Sequence, residues 1–192
     1  MKLPRKYYIQ DNVISISRNL LGQILCTRID GIVTSGIITE TEAYAGIKDK
    51  ASHAYGNRRT ARTEIMYREG GVAYVYLCYG IHSLFNVVTN KEGIPHAVLI
   101  RAIQPLAGIP EMLKRRNKKT LDKTLTSGPG SVSQSLGIHF SHSGISLLEN
   151  TIWIEQNNID IKEDQIIEGP RIGVEYAKED ALLPYRFRLI KI

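Results

Sequence analysis

The stretch VAYVYLCYGIHSLFNVV, residues 72–88, decides how this chain folds. Alternation over residues 72–78 puts Tyr74 and Tyr76 on one face of a strand and Val75 and Leu77 on the other. Tyr79-Gly80 then breaks the run before a second strand-like segment. Both faces carry bulk. Val75 and Leu77 read as core, which leaves a face and a tip of tyrosines to be explained.

Upstream, QILCTRID and IVTSGIITETEAY read as a hairpin turning at Asp30-Gly31, a two-residue turn pair. Before it, Asp11 or Ser15 is expected to cap a helix through VISISRNLL, which Gly22 ends. Periodicity then dissolves over residues 45–63, AGIKDKASHAYGNRRTART, a long loop of the kind that carries function. Downstream come a turn at NKEG, a strand in HAVLIRAI, a helix entered at Pro110, and a Gly/Pro turn before a short helix in TSGPGSVSQSLGI. Late strands follow in TIWIEQ and RFRLIKI. Hairpin-linked strands with few long helices predict a single, mainly antiparallel α+β domain over residues 1–192.

A chain of 192 residues that is 43% hydrophobic can bury one sizeable core. No basic segment followed by an apolar run stands near Met1, and no apolar stretch is long enough to span a bilayer, so a cytoplasmic protein without membrane contact is expected. Cys26 and Cys78 lie in strand-like runs and read as two buried thiols. The net charge of +6 and pI near 9.3 point weakly to polyanions. Residues 48–69 carry six bases and three acids, and residues 101–123 seven bases and two acids. Residues 149–180 hold nine acids and three bases. Two basic segments flanking tyrosine-rich strands suggest nucleic acid, although any one such run also suits a solvated face.

The carboxylates of ITETEAY carry the sharper chemistry. On a strand Glu40 and Glu42 share a face, roughly 7 Å apart from Cα to Cα. They fit a solvated strand edge, or an edge opening into a cleft where one carboxylate serves as general base. As a pair they suit a two-carboxylate sugar hydrolase; singly, hydrolysis of an N-glycosidic bond. His139 and His142 have ligand spacing but no partners, so no metal is expected, and no cofactor motif is present. SGPG at residues 127–130 lacks the Gly-Lys-Ser/Thr of a phosphate loop and reads as a tight turn before a helix. His53 alone would be a surface residue. Its neighbours Arg58, Arg59 and Arg62, interleaved with aromatics, suit contact with a phosphate backbone and unpaired bases.

ETEAY, SHAYGNRRTAR, AYVYLCYGIHSLFNVV, VLIRAIQPLAG, SGPG and PRIGV, in that order, resemble the alkyladenine (3-methyladenine) DNA glycosylase family over roughly residues 14 to 190. The resemblance implies a curved, barrel-like sheet with peripheral helices and a protruding β-hairpin. It implies a monomeric base-excision repair enzyme that flips alkylated or deaminated purines out of double-stranded DNA, with no cofactor. Glu42 would be the general base, Glu40 its support, and Arg101 a clamp on the nucleotide beside the attacking water. Tyr44, His53 and Tyr76 would form the base pocket, Asn86 a gate against the exocyclic amine of guanine, and Tyr79 the wedge left in the duplex. No Lys beside Glu42 is placed to form a Schiff base, so the enzyme would be monofunctional. Tyr74 is left with packing beneath the pocket. The chain departs from the family pattern at Ala61, where Pro is usual, and at Glu64, His82 and Ser83. A non-enzymatic nucleic-acid binder and a sugar glycosidase remain the alternatives.

Overall fold

The computed structural model describes residues 1–190; Lys191 and Ile192, the end of the strand expected in RFRLIKI, lie outside the described residues. The elements are α1 (Arg5–Tyr8), α2 (Val13–Asn19), β1 (Ile24–Ile29), β2 (Ile32–Tyr44), β3 (Val72–Cys78), β4 (His82–Thr89), β5 (His96–Ala107), α3 (Ile109–Arg115), α4 (Pro129–Leu136), β6 (Ile152–Glu155), β7 (Ile166–Gly169) and β8 (Arg186–Leu189), with short 3-10 turns between them. None of the described helices is long and apolar enough to cross a membrane.

Helix α2 is capped by Asn12, not by Asp11 or Ser15. The Asn12 side chain accepts from the amides of Ile14 and Ser15 at 3.0 and 3.1 Å, satisfying two donors that the first turn leaves open. Asp30 and Gly31 both take positive φ, 53° and 76°, and join Ile29 directly to Ile32. That backbone matches the twist of the flanking strands.

Every strand pairing is antiparallel, in the order β3-β4-β5-β2-β1-β6, with β8 also on β2 and β7 on β8. Strand β2 pairs β5 along one edge and divides the other between β1, through Ile32–Ile37, and β8, through Glu40–Glu42. This fork curls the sheet into a half-barrel with few helices, the α+β architecture expected. The outer edge of β3 is covered by residues 144–147, whose backbone bonds Ala73 and Gly71.

Register then sorts side chains between two faces. Thr41, Ala43, Ala73, Val75, Phe85, Val87, Val98 and Ile100 are buried, and all but Thr41 join the main apolar core with α2, α3 and α4. The alternate residues pair across the strands as Tyr44↔Ala97, Glu42↔Leu99, Asn86↔Leu99, Tyr74↔Asn86 and Tyr76↔Leu84. They face the long loop, which packs Ala54, Met66 and Tyr67 on Val72, Tyr74, Val88 and Ala97. Leu77 departs from the expected core position: it is 37% exposed, near the free end of the β3–β4 hairpin. Cys26 is buried as expected, whereas Cys78 is only half-buried.

Candidate active site

Between the sheet and the loop lies a cavity of about 220 Å³. Its walls include Tyr44, His53, Tyr74, Tyr76, Asn86, Leu99 and Arg101, closed on a further side by Ile172, Gly173, Val174 and Tyr176. Period-two alternation explains why the strand residues converge: each points to the face opposite the core. Tyr74 is a wall residue, 2% exposed, and not merely packing beneath the cavity.

Glu42 is fully buried directly behind this wall. One carboxylate oxygen accepts from the Ile172 amide at 2.8 Å; the other accepts from the Tyr44 hydroxyl at 2.9 Å and lies 3.3 Å from Arg101 Nη1. Burial raises its pKa, and the Arg101 charge, the Ile172 amide and the Tyr44 hydroxyl pull it back down. Tyr44 is in turn driven well above a phenol's usual pKa by burial and by the Glu42 charge, so its hydroxyl stays a donor.

Arg101 sits at an irregularity in the ladder. Glu40 pairs Ala102 and Thr41 pairs Ile100, so Arg101 is the extra residue of a bulge. Its Nε also contacts Glu40 Oε1 at 3.2 Å, and Arg186 Nη1 lies 3.6 Å from the same oxygen. Glu40 and Glu42 therefore share one arginine. Glu42 sits behind the aromatic cavity, whereas Glu40 borders a separate polar groove with Lys123 and Arg188.

His53 stands edge-on to Tyr76, with ring centroids 4.6 Å apart, and its Nδ1 is 2.8 Å from the Tyr74 hydroxyl. Arg62 Nη2 lies 2.8 Å from His53 Nε2. A guanidinium can only donate, so Nε2 accepts and the ring is neutral. Burial, with Arg62 and Arg58 adding like charge, lowers the imidazole to about 4. Asn86 donates to the backbone carbonyls of Tyr74 and Leu84, which fixes its amide plane against the cavity.

Tyr79 is 92% exposed at the hairpin tip and takes φ of 51° beside Gly80 at 71°. Left-handed backbone at a non-glycine residue costs roughly 1–2 kcal/mol. Neighbouring Ile81 is 74% exposed. His82 packs against Gly130 at the start of α4, where an added Cβ would come within 3.2 Å of it.

The three arginines of the loop have separate situations. Arg58 is exposed and makes no side-chain hydrogen bond or ion pair among the described residues. Arg59 is held by both oxygens of Glu64 at 2.9 and 3.1 Å and stacks over Tyr67. Arg62 lies over the Tyr76 ring, 5.0 Å from its centroid. In the second basic segment Arg115 pairs Glu111, Lys118 pairs Asp122 and Arg116 bonds Gln134. Much of that charge is spent inside the protein. His139 and His142 cap their own turn. Among the described residues, no three His, Cys, Asp or Glu side chains are grouped to hold a metal ion.

Sequence reasoning missed Asp49 and Arg171. Arg171 bonds both Asp49 oxygens, at 2.5 and 2.8 Å, with both side chains almost wholly buried. The motif PRIGV contained Arg171, but periodicity carries no signal for a partner 122 residues away.

The chain belongs to the methylpurine-DNA glycosylase family, whose model matches residues 7–191. It is 48% identical over 188 residues to a protein of Chlamydia felis, covering 97% of this chain and 95% of that one. A protein of Chlamydia abortus is 47% identical over 188 residues, with 97% of each chain covered. One from Bacillus cytotoxicus is 44% identical over 195 residues, covering 97% and 95%. All three bear the name "Putative 3-methyladenine DNA glycosylase".

Proposed function

We propose that this chain is a monofunctional DNA glycosylase that removes alkylated or deaminated purines, among them 3-methyladenine, 7-methylguanine, hypoxanthine and ethenoadenine, from double-stranded DNA. The observation that carries this reading is the Glu42 carboxylate, wholly buried behind an aromatic cavity and held by Arg101, Tyr44 and the Ile172 amide. Family membership supports it.

In this reading the purine is extruded into the cavity, at a cost of a few kcal/mol that is smallest for damaged or mispaired bases. Tyr79 fills the vacated place in the stack. Tyr44, Tyr76 and His53 hold the base; their electron-rich walls favour a cationic methylpurine. Asn86, its amide pinned to two carbonyls, excludes guanine by steric conflict with the exocyclic amine. Water is admitted beside Arg101. Glu42 takes its proton as oxygen bonds to C1′; the C1′–N9 bond breaks, its electron pair leaves with the base, and an abasic sugar remains.

The two-carboxylate sugar hydrolase fits less well, since Glu40 and Glu42 converge on one arginine instead of facing each other across the cavity. Duplex oligonucleotides carrying each lesion, treated with alkali after incubation, test the proposal. Alkali-dependent strand breaks are expected for at least one lesion; none for any lesion overturns it.

A further inference from the structure

The strongest unexplained feature is a buried charge pair that the proposed reaction does not use. A buried ion pair is often replaceable by apolar residues without loss of stability, so its presence calls for another role. Arg171 Nη1 and Nη2 grip Asp49 and also donate to the carbonyls of Ala43, at 2.8 Å, and Asp180, at 3.1 Å. The guanidinium lies between the rings of Tyr44 and Tyr185, 4.9 and 5.2 Å from their centroids. Asp49 accepts from the amides of Ala45 and Ala51 as well. Arg171 Nε is buried without a partner among the described residues, a further cost of keeping the side chain there.

We infer that Arg171 and Asp49 form a clasp that positions the general base. It ties the backbone at Ala43, next to Glu42, to the segment whose next residue, Ile172, donates its amide to the Glu42 carboxylate. The same segment supplies the cavity wall at Ile172, Gly173, Val174 and Tyr176. Arg171 and Asp49 are positioning residues: neither need touch DNA. This inference rests on the glycosylase reading of Glu42.

The clasp has a titration signature. Arg101 from β5, Glu40 and Tyr44 from β2, Arg186 paired opposite on β8, and Arg171 itself face Glu42 or its immediate partners. The Ile172 amide is a donor that the clasp places directly, and it favours the ionised carboxylate. Loosening the clasp removes that donor, so a higher pH is needed to ionise Glu42.

The experiment is single-turnover excision from a hypoxanthine or ethenoadenine duplex across pH, in wild type, Asp49→Asn and Arg171→Lys. Both variants should bind the duplex as wild type does and lose about 10- to 100-fold in excision rate; in Arg171→Lys, which keeps the charges unchanged, the acid limb of the profile should also move to higher pH. Wild-type rates in either folded variant, or an unmoved limb in a folded Arg171→Lys, would overturn the clasp alone. No base release by wild type would overturn the glycosylase reading instead. Should both variants fail to fold, the Ile172 amide resonance of the wild-type protein decides. It is expected to titrate with the same inflection as the rate, and a resonance flat through that range would sink the inference.

Discussion

The floor of the cavity and the tip of the β3–β4 hairpin are built in opposite ways. At the floor, Glu42 has no exposed surface and three partners, Arg101 is 11% exposed, and Arg171 and Asp49 are closed off behind them. At the tip, Tyr79 and Ile81 stand in solvent on a backbone that bends through left-handed φ. A group that must exchange a proton at a defined atom needs fixed donors and little water around it. A group that must enter a base stack needs reach and an apolar surface without internal partners. In the proposed reading bond cleavage falls to the floor and engagement of the duplex to the tip, and substitutions in each should fail differently.

The largest effect is expected at the floor. Glu42→Gln should lower base release by about 10²- to 10⁴-fold while duplex affinity stays at the wild-type level. The same change should raise the melting temperature at pH 7. Burial lifts the Glu42 carboxyl above its ordinary 4.5, so the folded protein binds that proton more tightly than the unfolded chain. Its stabilising contribution is complete below 4.5 and lost as pH rises through the folded value, leaving the ionised group a cost at neutral pH. Glutamine removes that cost, at about 2–4 °C per kcal/mol in a chain of this size. Wild-type excision should likewise fall with acid at an inflection above 4.5. A Gln variant that melts lower, or that still excises, would break the assignment of the floor.

Next in size is the tip. Tyr79→Ser should reduce excision from a fully paired duplex by about 10- to 100-fold, since the wedge offsets a few kcal/mol of unstacking. The loss should shrink when the lesion is mispaired or single-stranded, and thermal unfolding should not move, because Tyr79 contacts so little of the fold. An equal loss on single strands would place Tyr79 with the chemistry and erase the contrast.

The sequence made the tip more legible than the floor. Alternation through residues 72–78 and the break at Tyr79-Gly80 located the hairpin, and period two alone put Tyr74 and Tyr76 on the face away from Val75. Leu77 was misplaced because alternation says which side a residue faces, not where the core underneath ends. At the floor, Glu40 and Glu42 were visible as strand neighbours. That they share Arg101 depends on the pairing of β2 with β5, a long-range register that no local periodic pattern anticipates. Arg171 and Asp49 were harder still, because an ion pair across 122 residues leaves no local trace. The Asn12 cap was missed for the opposite reason: Asp11, Asn12 and Ser15 all have the chemistry, and only backbone geometry chooses. Strand β7 is four residues of mixed burial, too short to show a period.

The smallest effect separates two adjacent arginines that the sequence presents alike, and it extends the contrast to the loop between floor and tip. Arg58 has its guanidinium uncommitted among the described residues, whereas Arg59 already gives two hydrogen bonds to Glu64 and stacks on Tyr67. A phosphate must compete with that carboxylate for Arg59 but not for Arg58. Arg58→Ala should therefore weaken duplex binding alike for damaged and undamaged DNA and reduce the salt dependence of log K by about one. Arg59→Ala should do less. Glu64→Ala should tighten binding slightly, because it releases Arg59 from an exposed ion pair. Fluorescence anisotropy over a salt series reads all three. If Arg59→Ala costs as much as Arg58→Ala while Glu64→Ala changes nothing, the duplex itself separates Arg59 from Glu64, and the loop belongs with the exposed tip instead of the preset floor.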